Sequence, residues 1–193
     1  RDDDEEIEEE LDAGVVAASN AMSGPKGDPD KLLVELELLA EKHRDRPDSK
    51  ARKLIGWLDD HLKTNGEWNG ERVIIFTEYL TTVRWLKDIL SNRGYASNNR
   101  LMTMYGGMDP DGREEVKAAF QADPGKSPVR ILLATDTASE GIDLQKYCNK
   151  LIHYDIPWNP NVMEQRNGRV DRHGQKQETV HIWHPVAGAV ETL

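Results

Sequence analysis

Apolar residues follow two alternating rhythms along most of this chain. Val73-Ile74-Ile75-Phe76 is a short continuous apolar run, the signature of a strand covered on both faces. Similar runs predict strands from Leu101 to Tyr105, Val129 to Ala134, Leu151 to Tyr154 and Thr179 to Trp183. Between them, apolar positions recur at helical spacing. Asp48-Ser49 can cap a helix whose inward face is Leu54, Ile55, Trp57, Leu58 and Leu62. Further helices are predicted from Thr82 to Leu90, Pro110 to Ala122 and Asn161 to Val170. Asn65-Gly66 and Asn69-Gly70 read as helix breakers, and no hairpin turn is read between strands. Strands that alternate with helices predict an α/β domain with a mostly parallel sheet and helices on both faces.

The first quarter of the chain has a different texture. Arg1 to Glu10 is an acidic block with Ile7 as its one apolar residue, expected to stay solvated and mobile. Ala13 to Asp30 is rich in small residues, Gly and Pro, and reads as a linker. Asp28-Pro29 then opens a helix with Asp28 as N-cap and Leu32, Leu33, Leu36, Leu39 and Ala40 as its stripe. Pro47 closes that unit. The expected organisation is an acidic tail, linker and amphipathic helix over 1–47, then one domain over 48–193.

Composition sharpens this division. The 193 residues carry 35 Asp+Glu against 25 Lys+Arg, a net charge of −10. Residues 1–49 hold 16 of the acids and 6 of the bases, so the whole imbalance lies there and residues 50–193 are neutral. A neutral domain no longer argues against a nucleic-acid partner. The single cysteine, Cys148, excludes a disulfide scaffold or Cys-rich zinc site and fits a reducing compartment. Neither a signal peptide nor an apolar run of about 18 residues is visible. The expectation is a cytoplasmic, bacterial protein with no membrane contact and no metal site of its own.

A complete nucleotide site is missing. Gly107 to Gly112 has the glycine spacing of a P-loop, but Arg113-Glu114 stands where Lys-Ser/Thr is required, and Asp109 and Asp111 would repel phosphate. Asp59-Asp60 sits at helical spacing and reads as a solvated face. His181 and His184, three apart on a predicted strand, point to opposite faces and suit no zinc ion.

The informative stretch runs from Asn161 to Gln175. If helical, it places Gln165, Arg169 and Arg172 on one face, a set of converging donors for phosphate oxygens. Gly168 inside such a helix would cost about 1 kcal/mol and suggests close approach by another backbone.

Gln165-Arg166-Asn167-Gly168-Arg169-Val170-Asp171-Arg172 resembles motif VI of the superfamily-two helicases, and Arg172-His173-Gly174-Gln175 the R-x-G-Q ending of Swi/Snf-related translocases. Ile131 to Gln145 resembles motif V, Val73 to Tyr79 motif IV, and Gly106 to Arg113 the segment between. Asp155-Ile156-Pro157-Trp158-Asn159-Pro160 is similar to the D-x-x-W-N-P block joining motifs V and VI. These segments stand in family order over about residues 50–185, in forms similar to bacterial RapA-type proteins.

The resemblance implies the second, C-terminal RecA-like lobe of an ATP-dependent motor, with P-loop and acidic Mg²⁺ motif on a first lobe. It assigns Arg169 and Arg172 as arginine fingers, Gln165 as their support, and Gly141 and Asp143 as contacts to ATP. Arg166 would face another direction and be structural. Thr77, Gly107, Arg113 and Thr135 become candidate contacts to a nucleic-acid backbone, DNA before RNA. Trp158 is expected to pack within the domain and not to stack on a base. The cofactor would be ATP with Mg²⁺ held mainly by the first lobe, which is also the principal partner. The acidic segment could engage a protein, and the lobe by itself should lack ATPase activity. Two other readings stay open: a lobe of a strand-separating RNA or DNA helicase, and an inert RecA-like binding module.

Overall fold

The computed structural model describes residues 9, 12–17, 29–43, 46–139 and 144–186. Among them, helix α1 (Pro29–His43) carries the leucine stripe expected of it. Leu32, Leu36 and Leu39 are each more than half exposed, so nothing described covers that stripe. The expected N-cap, Asp28, lies outside the described residues.

Helix α2 (Ser49–Leu62) starts where Asp48 accepts a hydrogen bond from the amide of Ala51 at 2.7 Å. This satisfies one of the orphan donors of the first turn. Leu54, Leu58 and Leu62 are fully buried, with Ile55 and Trp57 packed beside them.

The chain then departs from the expected pattern. Lys63–Thr64 (β1) and Glu67–Trp68 (β2) form an antiparallel hairpin, with Asn65 at φ 53° and Gly66 at φ 82°. Two consecutive left-handed residues are what a tight two-residue hairpin requires, and Asn-Gly supplies them at least steric cost. The dipeptide that reads as a breaker is a turn.

Five strands make the main sheet: β3 (Val73–Phe76), β4 (Leu101–Met104), β5 (Ile131–Ala134), β6 (Lys150–His153) and β7 (His181–Trp183). Their order is β4-β5-β3-β6-β7, and every pairing is parallel. β3 lies at the centre, between Ile131–Ala134 on one side and Leu151–His153 on the other. All four of its side chains are buried, as a strand covered on both faces demands. Val73 and Ile75 join the core beneath α2 and helix α3 (Leu80–Ser91), with Val83, Leu86 and Leu90. Ile74 and Phe76 point the other way, toward Val116 and Phe120 of helix α4 (Pro110–Gln121). These opposed cores are the two outer layers of an α/β domain.

The amino end of the sheet is closed by a buried arginine. Arg72 donates from Nε to the carbonyl of Val129 at 3.0 Å and from Nη1 to the carbonyls of Phe120 and Ala122. A cation thereby meets the negative end of α4. Cys148 sits in the same region, fully enclosed, and burial pushes its thiol up to about 11. It is an inert core residue at neutral pH.

Candidate functional site

The carboxyl ends of β3, β5 and β6 converge because β5 and β6 flank β3, the kind of switch point where α/β domains place their chemistry. Each ladder continues one residue past its strand: Thr77 donates to Ala134, Thr135 to Met104, and Tyr154 to Phe76, at 2.8–3.1 Å. The side chains after these strands, with the short helix α5 (Asp136–Ser139) that follows β5, build a closed polar network.

Arg166, on helix α6 (Pro160–Asn167), is its hub and is only 2 % exposed. Its guanidinium meets Asp136 fork to fork, Nε to Oδ1 and Nη2 to Oδ2, both at 2.6 Å. Nη1 donates to the carbonyl of Asp155 at 2.7 Å, and the ring of Phe76 lies beneath the cation. The Asp155 carboxylate accepts from Lys50 at 2.8 Å and from the hydroxyl of Thr77. Two cations thus balance two carboxylates, as burial of charge requires.

His153 completes the network. Its Nδ1 lies 3.5 Å from Arg166 Nη1 and its Nε2 2.9 Å from Asn167 Oδ1. A guanidinium only donates and the Asn oxygen only accepts, so both contacts are met by a neutral ring protonated at Nε2. Burial, assisted by the nearby charge of Arg166, holds this histidine below its ordinary value despite the opposing bond to Asn167.

The arginine-bearing stretch differs from its expected form. Helix α6 ends at Asn167, and Gly168 is its C-cap at φ −61°, ψ −7°. Gln165 is therefore on the helix, whereas Arg169 and Arg172 lie on the irregular segment beyond it and share no helical face. The cause is short: Asn167-Gly168 has poor helix propensity, and the next residues close in irregular turns, Arg169 on Arg166 and Val170 and Asp171 on Asn167, at 2.8–3.1 Å. A Cβ at Gly168 would meet the carbonyls of Glu164 and Gln165 at 3.4 and 3.6 Å. The close neighbour is the residue's own preceding turn, so the expected approach of another backbone is not found among the described residues.

Beyond Gly168 the segment is pinned to residues 144–148. Leu144 donates to the carbonyl of Arg169 at 3.2 Å, and Gln145 Nε2 reaches that of His173 at 3.4 Å. Gln175 Nε2 donates to both Val170 at 2.9 Å and Cys148 at 3.0 Å. Arg169 is half-buried, and its Nε is a buried donor with no hydrogen-bond partner among the described residues. Arg172 and Gln165 are exposed. Gly141 and Asp143, expected at ATP, lie outside the described residues.

The expected backbone-binding residues divide. Gly107 is exposed at φ 68°, and Arg113 lies half-buried in the first turn of α4. Asp109 caps that helix by accepting from Gly112 at 3.2 Å, so the glycine spacing there serves a helix start. Glu114 pairs with Lys117 at 3.3 Å. Thr77 and Thr135, at 0 % and 1 % exposed, present no hydroxyl to the surface in this conformation. Thr77 spends its hydroxyl on Asp155.

Trp158 reverses its expected role, being 98 % exposed and not packed in the domain. The loop around it is held from both sides, by Asp155 with its two partners and by Asn159, which caps α6 by accepting from Asn161 at 3.0 Å. Pro157 fills the interior while the indole projects outward from a braced support, beside exposed Ile156.

Sequence reasoning named Arg166 as structural but missed the roles of Lys50, Asp136, His153 and Asp155. Lys50 and Asp155 are 105 residues apart, and no local pattern joins them.

Comparison with known proteins agrees with this geometry. Residues 53–174 match the model of the helicase conserved C-terminal domain. The chain is 41 % identical over 113 residues to the uncharacterized ATP-dependent helicase YqhH of Bacillus subtilis, covering 58 % of this chain and 18 % of that protein. It is 30 % identical over 140 residues to the RNA polymerase-associated protein RapA of Vibrio vulnificus, covering 72 % and 14 %. The chain thus spans less than a fifth of the length of these relatives. Among solved structures, the C-terminal part of the Fun30 ATPase domain shares the fold, with a TM-score of 0.59 at 24 % identity over 70 % of this chain and 39 % of that one. The all-parallel sheet and the match over residues 53–174 place this chain in the helicase conserved C-terminal domain family, with a RecA-like α/β fold.

Proposed function

We propose that this lobe is one half of an ATP-dependent nucleic-acid translocase, with residues 48–193 as the lobe and 1–47 as an appendage. Arg169 and Arg172 act as arginine fingers toward ATP carried on a first lobe, with Gln165 supporting them. The observation that carries the reading is the pinned segment after α6. It holds Arg169 half-buried, its Nε without a partner among the described residues, and Arg172 exposed three residues on. An orphaned cationic donor is costly to keep and suits an incoming phosphate oxygen. ATP with Mg²⁺ supplies the phosphoryl chemistry; Gly141 is proposed to allow backbone approach to the nucleotide and Asp143 to accept from a ribose hydroxyl. This chain contributes positive charge where negative charge develops, worth roughly 10³–10⁵ in rate in related systems.

The nucleic-acid backbone, DNA before RNA, is proposed to lie along Gly107 and Arg113. Thr77 and Thr135 support the loops behind it, and Trp158 offers an outward aromatic face for stacking. The decisive experiment is Arg172→Ala in the complete two-lobed protein. ATP hydrolysis should be lost while ATP binding stays within a few-fold; equal loss of both would assign Arg172 a structural role.

A further inference from the structure

The R-x-G-Q ending has a use that the finger reading leaves unexplained. Between the end of α6 and the start of β7 lie thirteen residues without regular structure. A segment of that kind does not hold two arginines in fixed positions by itself. Here four carbonyls between Arg169 and His173 accept hydrogen bonds. Those of Arg169 and Arg172 accept from backbone amides, of Leu144 and of Gln175. Those of Val170 and His173 accept from side-chain amides, of Gln175 and of Gln145.

Gln175 uses its whole carboxamide. One N–H goes to Val170 at 2.9 Å, the other to Cys148 at 3.0 Å, and Oε1 accepts from the amide of Gln177 at 3.0 Å. Cys148 belongs to the rigid core, two residues before β6 begins. The side chain therefore rivets the loop between the two arginines to the sheet. Glutamate keeps the length and the acceptor but lacks both donors; methionine keeps the shape alone; asparagine is one carbon short.

We propose that Gln175, aided by Gln145, is a positioning residue for catalysis: its carboxamide fixes the Arg169–Arg172 segment against residues 144–148. The proposal rests on Arg169 and Arg172 acting on the nucleotide.

The test is nucleic-acid-stimulated ATP hydrolysis by the complete two-lobed protein carrying Gln175→Met, Gln175→Glu, Arg172→Lys, or Gln175→Met with Arg172→Lys. Misplacement of about an ångström predicts a kcat lower by about 10- to 100-fold in both Gln175 variants, with the KM for ATP within about twofold. In the Arg172→Lys background, Gln175→Met should cost clearly less than in the wild type, because one of the two fingers it positions is already removed. Wild-type kcat in both Gln175 variants overturns the proposal. So does the same fold-loss in the Arg172→Lys background, which marks a merely structural role. If Arg172→Lys itself keeps wild-type kcat, the finger reading fails first. Should the Gln175 variants not fold, Gln145→Met removes a single contact to the same loop. It should lower kcat in the same direction, and an unchanged kcat there refutes the clamp.

Discussion

Arg166 and Asp136 meet through two parallel hydrogen bonds of 2.6 Å, joining the end of α6 to the residues that follow β5. Arg166 is buried and its partner about one-third exposed, so the pair is only partly screened. Cutting it leaves the Asp136 carboxylate without this cation and the Asp155 carbonyl without its donor. Arg166→Ala should destabilise the lobe by about 3 kcal/mol, at the lower end for a broken buried pair. Urea unfolding of the variant and the parent measures this; a loss under about 1 kcal/mol would show that the network is dispensable.

His153 should make the lobe sensitive to mild acid. Its folded pKa lies below the ordinary histidine value because of burial, so the unfolded chain takes up the proton more readily. The neutral ring's contribution is complete above about pH 6.5 and is lost as pH falls toward the folded value. Stability followed between pH 7.5 and 5 should decline, and His153→Gln should flatten that slope. An identical slope in the variant would move the effect to other groups.

Trp158 separates binding from folding. An indole that is 98 % exposed contributes little to the folded state, so Trp158→Ala should leave the unfolding free energy within about 0.5 kcal/mol. Loss of a stacking platform should weaken nucleic-acid affinity by about 1–3 kcal/mol, read by fluorescence anisotropy at fixed salt. Unchanged affinity would turn attention to a protein partner for this loop.

The lobe alone should hydrolyse ATP negligibly, since it offers arginines but no phosphate loop. Nucleic-acid-stimulated turnover by the purified chain would contradict this. Removing residues 1–30 in the same preparation tests the acidic segment. If it competes for the nucleic-acid face, affinity should rise and the salt dependence should change.

The sheet was legible because β3 and β5 are uninterrupted apolar runs and α2 and α3 periodic ones. Both patterns follow directly from burial on two faces or on one. The arginine segment was only half legible. Its residue types announced phosphate chemistry, yet periodicity suggested a helix where the chain, after Asn167-Gly168, is held by contacts to residues 144–148. Long-range partnerships such as Lys50 with Asp155 leave no local trace, and neither does the outward turn of Trp158. Asn65-Gly66 shows the opposite case, in which a local signal of a hairpin was present and read only as a break.

The strand order also governs how this lobe comes into being. β3 is the first strand of the main sheet to be synthesised, yet its two neighbours are β5 and β6, paired as Val73 with Ile131 and Ile74 with Leu151. The most apolar tetrad in the sheet therefore waits for partners made more than fifty residues later, several seconds at about 5–20 residues per second. During that interval Val73–Phe76 is a sticky, unpaired segment on a nascent chain. Pairings this distant fold slowly, so the lobe's yield in the cell depends on protection of β3 during synthesis as well as on the stability of the finished sheet.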